Sequence, residues 1–306
     1  MRLDKFLARK LGVSRSQVTQ LIKKGLVKVD GVVVKKGGAE VTGGEEIEIG
    51  EIKEEKPPVE TPEWEIPILY QDSNLLILNK PPGVVVHPAP SYRGPTLVEW
   101  LKGRRFSLST LAGEERVGIL HRLDKETSGA LLVAKNNWAH SQLAEQLKSR
   151  EMGRYYLMVL NQPLKRPVIV EKPIGRNPKD RKKMGVVSNG KPAKTLFIPI
   201  GGNLVLAKLY TGRTHQIRVH LKELGRWILG DSVYGKGEGA DRVMLHGYQL
   251  YYRDPVSAEK RVVTAPLWED FRELIGEEGE RRVEELPELE RWTRKVELEL
   301  KFPKLG

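Results

Sequence analysis

The sequence predicts an α+β protein in two parts: a small basic ααβ module, then a larger domain on a mixed, mainly antiparallel sheet. Three observations predict it. Residues 1–50 run from two amphipathic helical patterns into a tight β-hairpin, residues from 67 onward read mostly as short strands between turn signals, and an acidic, proline-rich stretch separates the two. At 306 residues the chain is too long for one minimal domain.

In the first module, Leu3, Phe6, Leu7 and Leu11 recur at helical spacing, and Gly12 stops that helix. Ser14 opens a second helix as its cap, with Gln17 three positions on to complete a capping box. Val13 and Val18 are placed as its hydrophobic staple. This helix is expected to bury Val18, Leu21 and Ile22 and to end at Gly25, leaving Arg15, Lys23 and Lys24 on its other face. Residues 26–29 and 32–34 flank Asp30-Gly31, the pair that a two-residue type I′ hairpin demands, and 45–49 alternate as a closing strand. Residues 51–66, with Glu54, Glu55, Pro57, Pro58, Pro62 and Glu63, read as a stiffened acidic linker.

In the larger part, strands are expected at 68–70 and 75–78 around Asp72-Ser73-Asn74. Further strands are expected at 117–120, 130–134, 155–160, 195–200, 204–209, 217–221 and 262–264, with a polar helix over 137–150. No GxGxxG, P-loop or long repeat is present, so a nucleotide cofactor and a solenoid have no support. With no cysteine, disulfides, thiolate nucleophiles and cysteine–zinc sites are excluded. Aliphatic runs such as 75–78 fall far short of the ~20 residues that span a bilayer. The opening MRLDKF has no apolar core, so no secretory signal is expected and the expected location is cytoplasmic.

The net charge of +12 is unevenly placed. Residues 1–36 carry +8, residues 37–65 carry −8 and residues 267–306 carry −4, which leaves +16 in 66–266. A thermostable Lys/Glu surface would explain the number of charges but not their segregation. Two basic bodies split by an acidic stretch point to a polyanion, and RNA or DNA is the expected partner.

Chemistry is expected where charge interrupts the strands. His121-Arg122-Leu123-Asp124-Lys125-Glu126-Thr127-Ser128-Gly129 sets one carboxylate, Asp124, between cations in a loop. A turn in which Asp124 merely accepts local hydrogen bonds explains it equally well. In Thr211-Gly212-Arg213-Thr214-His215-Gln216-Ile217-Arg218-Val219-His220, strand alternation sends Gln216, Arg218 and His220 to one face. Arg218 then needs an acidic partner. His215 and His220 match no metal-ligand spacing and read as surface or hydrogen-bonding residues.

Residues 2–49, including Ser14-Arg15-Ser16 and Val29-Asp30-Gly31-Val32, resemble the small RNA-binding domain named after ribosomal small-subunit protein S-four. HRLDKETSG at 121–129 and LYTGRTHQIRVHLKELGRWILGDSVYG at 209–235 resemble the signature segments of RluA/RluD-type pseudouridine synthases. Lys80-Pro81-Pro82-Gly83 and residues 264–271 resemble two further segments of that family, the second with Trp268 where proline is common. The resemblance implies a catalytic domain over 67–275 with a central RNA-binding cleft, and it leaves 276–306 as an extension without a role. It implies an enzyme that converts uridines, chiefly of 23S ribosomal RNA, to pseudouridine by flipping the base, cleaving the glycosidic bond and rejoining it through carbon. No metal or cofactor is called for, and a monomer is expected. Asp124 matches the essential aspartate, Arg218 the arginine paired with it, and Arg122 the arginine that fills the base stack. Register against the family's basic-x-Tyr pattern selects Tyr156 over Tyr155 as the tyrosine on the uracil. Arg213 and His215 join Arg122 as expected RNA contacts, as Arg15, Lys23 and Lys24 do in the first module. The competing reading is a non-catalytic ribosomal RNA assembly factor that retains the fold.

Overall fold

The computed structural model describes residues 1–11, 15–23, 25–50, 61–89, 92–180 and 183–302, apart from the side chains of Ser16, Gln17 and Gln20. They form two compact units, Met1–Val59 and Glu60–Gly306. The cap at Ser14, its staple residue Val13, Lys24 and most of the linker lie outside the described residues.

In the first unit, α1 (Leu3–Leu11) and α2 (Arg15–Lys23) precede β1 (Val27–Val29), β2 (Val32–Val33) and β3 (Ile47–Ile49). The strands form an antiparallel sheet in the order β2-β1-β3. Asp30 and Gly31 both have positive φ, 49° and 75°, as a type I′ turn requires. Leu3, Leu7, Val18, Ile22 and Val27 make the core. Arg15 lies 2.7 Å from the buried carboxylate of Asp4, and hydrogen bonds from Arg15 and Arg2 hold that carboxyl down at about 2.

The second unit begins with β4 (Ile68–Gln71), β5 (Leu75–Lys80), α3 (Leu97–Gly103), β6 (Ser128–Ala134) and α4 (Asn137–Ser149). It continues with β7 (Gly153–Val159), β8 (Val168–Glu171), β9 (Ile174–Arg176), β10 (Met184–Val186), β11 (Lys194–Gly201) and β12 (Leu204–Leu209). It ends with α5 (Gln216–Glu223), β13 (Leu245–Arg253), β14 (Lys260–Thr264), α6 (Glu269–Glu284) and α7 (Leu289–Lys301). Among the described residues nine strands make one sheet, β4-β5-β6-β13-β7-β12-β11-β8, with β14 on the remaining length of β13. Every pairing is antiparallel except β6 with β13. Strands β5 and β6 are buried on both faces, so alternation divides their residues between two cores. Leu76, Leu78, Leu131 and Val133 join the core under α3, α5 and α6, whereas Leu75, Ile77, Ala130 and Leu132 pack with Ala139 and Leu143 of α4.

Two expected strands are not strands. Residues 117–120 touch β6 only through an Ile119–Val133 bridge, because Gly118 has φ +71° and a Cβ there would stand 2.7 Å from Val133. Residues 217–221 belong to helix α5. Its residues 216–221 are all buried between two clusters, Ile217 and Leu221 toward one and Val219 toward the other, so the helical period is hidden and a polar–apolar alternation shows in its place. The described part of 276–306 packs within the second unit: Val283 and Leu289 share the core of Leu157, and Val296 packs on Leu196 and Ile198.

The parallel β6–β13 pair sets Gly129 opposite Gly247 and depends on the first of them. Gly129 has φ +115°, and a Cβ on it would fall 2.3 Å from the carbonyl oxygen of Gly247. Gly129→Ala is therefore expected to cost about 3 kcal/mol, from backbone strain and overpacking together. Gly83 has φ +81° and open space around it. Gly83→Ala should cost only the strain, about 1 kcal/mol. Urea midpoints of the two variants separate these terms.

Candidate active site

A cavity of about 690 Å³ opens over the centre of the larger sheet. Four pieces of chain build it: the loop before β6, strand β7, the C-terminal end of α4, and the turn 211–215 with α5. Arg116, Arg122, Lys148, Arg150, Arg154, Arg213 and Arg218 all line it, and Asp124 is the one carboxylate among the lining residues. Such a wall suits a polyanion and leaves a single acid for chemistry.

The loop that carries Asp124 is held from beneath. Its backbone closes a turn in which the Asp124 carbonyl accepts the Thr127 N–H at 3.1 Å. Lys80, with no exposed surface, donates to the carbonyls of Pro81, Val84 and Lys125 at 2.7, 2.9 and 3.2 Å. It thereby ties the Lys80–Gly83 turn to the loop. Burial pushes its ammonium down to about 7, against the pull of Asp124 and Glu126. From another side Arg242 donates to the Glu126 carbonyl at 3.2 Å while its guanidinium holds Asp270 of α6 at 2.9 Å. His121 accepts the Leu132 N–H at 3.1 Å, and burial pushes the ring down to about 3, which keeps it neutral. The local-turn reading of Asp124 thus describes its backbone, while its carboxylate faces other groups.

Arg218 has a different principal partner from the one expected. Its Nε and Nη2 donate to Asp231 at 2.7 and 2.8 Å, and only Nη1 approaches Asp124, at 3.4 Å. Asp231 also accepts the N–H groups of Val233 and Tyr234, both at 2.9 Å. Burial opposes its charge, but the Arg218 hydrogen bonds and charge carry its carboxyl below the usual range. The Tyr234 ring lies 4.9 Å from the same guanidinium. Sequence reasoning missed Asp231. The signal was an acid inside the turn Gly230-Asp231-Ser232-Val233-Tyr234-Gly235, within a segment already singled out.

Because 216–221 is helical, the expected common face of Gln216, Arg218 and His220 does not exist. Gln216 is buried and staples the turn before α5: it accepts from Thr211 Oγ1 at 2.7 Å and from the Arg213 N–H at 3.0 Å. His220 is fully buried against Thr195 and the Lys172 carbonyl, away from the cavity. His215 stands at the cavity wall, its Nε2 3.9 Å from Asp124 Oδ2. Among the described residues no cluster of His, Cys, Asp or Glu could hold a metal ion.

Adjacent residues of β7 part company. Tyr156 lines the cavity, where burial raises its hydroxyl and Asp124 adds to the effect. Tyr155 lies in the core, with its hydroxyl 3.2 Å from Thr293 of α7. Arg122 is exposed at the rim, 3.5 Å from His87, whose ring burial and Arg122 push down to about 4. Arg213 donates from Nε to the Pro192 carbonyl at 3.0 Å and is among the residues lining the cavity. In the first unit Arg15 and Lys23 are solvent-exposed on α2.

Two outcomes follow from this geometry. Arg218→Ala strands the buried carboxylate of Asp231 and should cost ~3–5 kcal/mol of stability, read by chemical denaturation. For Lys80, the unfolded amine titrates at 10.5 and the folded one at about 7. Between those values the unfolded chain binds more protons, so stability should rise with pH, by up to ~1.4 kcal/mol per unit. Lys80→Met should remove that rise, measured as the difference in urea midpoints at pH about 7 and about 9.

The chain matches the family model for RNA pseudouridylate synthase over residues 74–223 and that for the S4 domain over residues 1–47. It is 43% identical over 290 residues to a Helicobacter pylori protein named an uncharacterized RNA pseudouridine synthase, covering 90% of this chain and 89% of that one. It is 38% identical over 291 residues to ribosomal large subunit pseudouridine synthase D of Nitrosomonas europaea, covering 90% of this chain and 83% of that one. Among solved structures, human RNA pseudouridylate synthase domain containing 1 aligns with a TM-score of 0.55 and 28% identity, over 69% of this chain and 87% of that one. Among the described residues no helix is long and apolar enough to cross a membrane. With both models matched and nine-tenths of its length aligned at that identity, the chain belongs to the RNA pseudouridine synthases and carries an S4 domain at its N-terminal end.

Proposed function

We propose that this enzyme converts uridines of large-subunit ribosomal RNA, 23S RNA in bacteria, to pseudouridine with Asp124 as the essential carboxylate. The observation that carries the reading is a single acid in a wall of seven cations, approached by Arg218 and standing in the cavity with Tyr156. The name borne by the Nitrosomonas europaea relative supports the ribosomal substrate. In this reading the S4-type module over 1–50 and the cavity face bind one RNA, the linker spans 51–66, and catalysis belongs to 67–275. The enzyme works as a cytoplasmic monomer.

The reaction breaks the bond from N1 to C1′ and forms one from C5 to C1′. The C5 proton is lost and N1 gains one, so the overall change is an isomerisation. Extraction of the base costs a few kcal/mol of unstacking. Arg122 offsets it, since a planar guanidinium at the rim can fill the vacated stack and still meet phosphate. Tyr156 supports the freed uracil, Asp124 acts at the glycosidic centre, and Arg213 holds backbone phosphate. A non-catalytic binder would have no use for a carboxylate among phosphate-binding arginines, which work against it in binding alone.

The test is incubation with transcribed ribosomal RNA followed by chemical mapping of pseudouridine. Asp124→Asn should leave less than about a hundredth of wild-type turnover, a loss of at least ~3 kcal/mol in barrier terms. Its RNA affinity should stay within about tenfold, or ~1.4 kcal/mol, because binding is spread over many phosphates. Tyr156→Phe should reduce turnover well beyond Tyr155→Phe, whose hydroxyl meets Thr293 of α7 in the core.

A further inference from the structure

His215 is held under backbone strain, with its ring edge-on to Tyr234. It has φ +56° immediately before α5, a left-handed conformation that costs a non-glycine residue ~1–2 kcal/mol. Gln216 pins the strained turn on both sides, through Thr211 and Arg213 on one and through Lys194 and Thr195 on the other. Strain kept in place by its surroundings is a reason to look for function at that position. What it achieves here is to set the imidazole between Tyr234 and Asp124.

Hydrogen-bond directions then assign the ring protons. The Met184 N–H lies 2.9 Å from Tyr234 Oη and can only donate, so the phenol oxygen accepts there. The phenol's own proton needs an acceptor, and His215 Nδ1 lies 2.8 Å away. Nδ1 therefore accepts. The proton of the neutral ring is on Nε2, and Nε2 is the atom that faces Asp124 Oδ2 at 3.9 Å. Burial keeps the ring neutral, with Arg218 and Arg122 acting in the same direction and Asp124 and Asp231 against it. Arg218 Nη1 approaches the same oxygen of Asp124 at 3.4 Å.

We propose that His215 is a positioning residue of the reaction: Tyr234 fixes its tautomer, and its Nε2–H with Arg218 engages Oδ2 of Asp124, leaving Oδ1 as the reacting oxygen. The proposal rests on the role given to Asp124 above, and it takes His215 from RNA contact to the carboxylate. Its Nε2 contact is longer than a hydrogen bond, and catalytic contacts of this kind commonly tighten in the substrate complex.

The test compares wild type with Asp124→Asn, His215→Asn, His215→Gln and Tyr234→Phe on transcribed large-subunit ribosomal RNA, with kcat and KM separated. Asparagine tolerates the left-handed backbone but stops short of Asp124, while glutamine returns an N–H near the place of Nε2. His215→Asn should lower kcat about thirtyfold or more with KM within about threefold. His215→Gln should recover most of that loss, and Tyr234→Phe should fall between. The ¹⁵N NMR spectrum of wild type should show the Nε2–H tautomer at His215, and Tyr234→Phe should disturb it. A wild-type kcat in His215→Asn, a loss confined to KM, or an Nδ1–H tautomer in wild type would overturn the proposal. A wild type that makes no pseudouridine would overturn the function proposed above. An active wild type, a silent Asp124→Asn and an unaffected His215→Asn would sink the positioning role alone.

Discussion

The site depends on one buried ion pair. Arg218 and Asp231 meet through two hydrogen bonds, with their side chains only 7% and 1% exposed. Neither charge tolerates that burial alone, so each requires the other. The fork of the guanidinium matters, since Nε and Nη2 grip Asp231 while Nη1 remains to reach Asp124. A lysine has no such geometry. Asp231 uses its remaining capacity on the N–H groups of Val233 and Tyr234, which sets the Tyr234 ring beside the arginine. Helix α5, the turn 230–235 and the loop 121–127 are thereby fixed to one another through three side chains.

The sheet supplies the rest of the frame. Strand β6 can lie parallel to β13 only where Gly129 removes a side chain from the approach, and Asp124 sits five residues before it. The loop between is then anchored by cations pointing the unusual way, inward. Lys80 and Arg242 each donate to its backbone carbonyls. Buried charges of this kind cost stability unless fully bonded. Here they place a carboxylate whose useful position depends on its loop not moving.

Much of this was legible in the sequence, and the illegible part has common causes. Asp30-Gly31 announces its hairpin because only certain residues accept two positive φ values. The helix predicted over 137–150 forms because one half-buried face leaves the period visible, with Asn136 as cap. The pattern fails where both faces are buried. Helix α5 shows alternating polar residues because Gln216, Arg218 and His220 each bond to a different buried partner. Strand β13 was missed for the same reason, with three partner strands and apolar residues on both sides. For the site, resemblance named Asp124, Arg218 and Tyr156, and the structure brings all three to one cavity. It did not reveal Asp231, because a partner thirteen residues away follows no local rule. Nor did it reveal α6 and α7, whose acidic composition hides the few residues that dock them, Phe271, Val283, Leu289 and Val296.

The two aspartates around Arg218 show how environment divides one residue type between two tasks. Asp231 receives four hydrogen bonds, two from the guanidinium and two from backbone N–H groups, which occupies both of its oxygens. A carboxylate so bonded, with its side chain 1% exposed, is turned inward to hold the arginine. Asp124 stands at the cavity with its side chain 19% exposed, and its long contacts with Arg218 and His215 both fall on Oδ2. The unequal sharing is what makes this possible. Had Arg218 forked onto Asp124, the acid in the cavity would have been the satisfied one and the buried acid the stranded one. By giving its two short bonds to the buried acid, Arg218 becomes rigid enough to direct its third donor at the acid in the cavity.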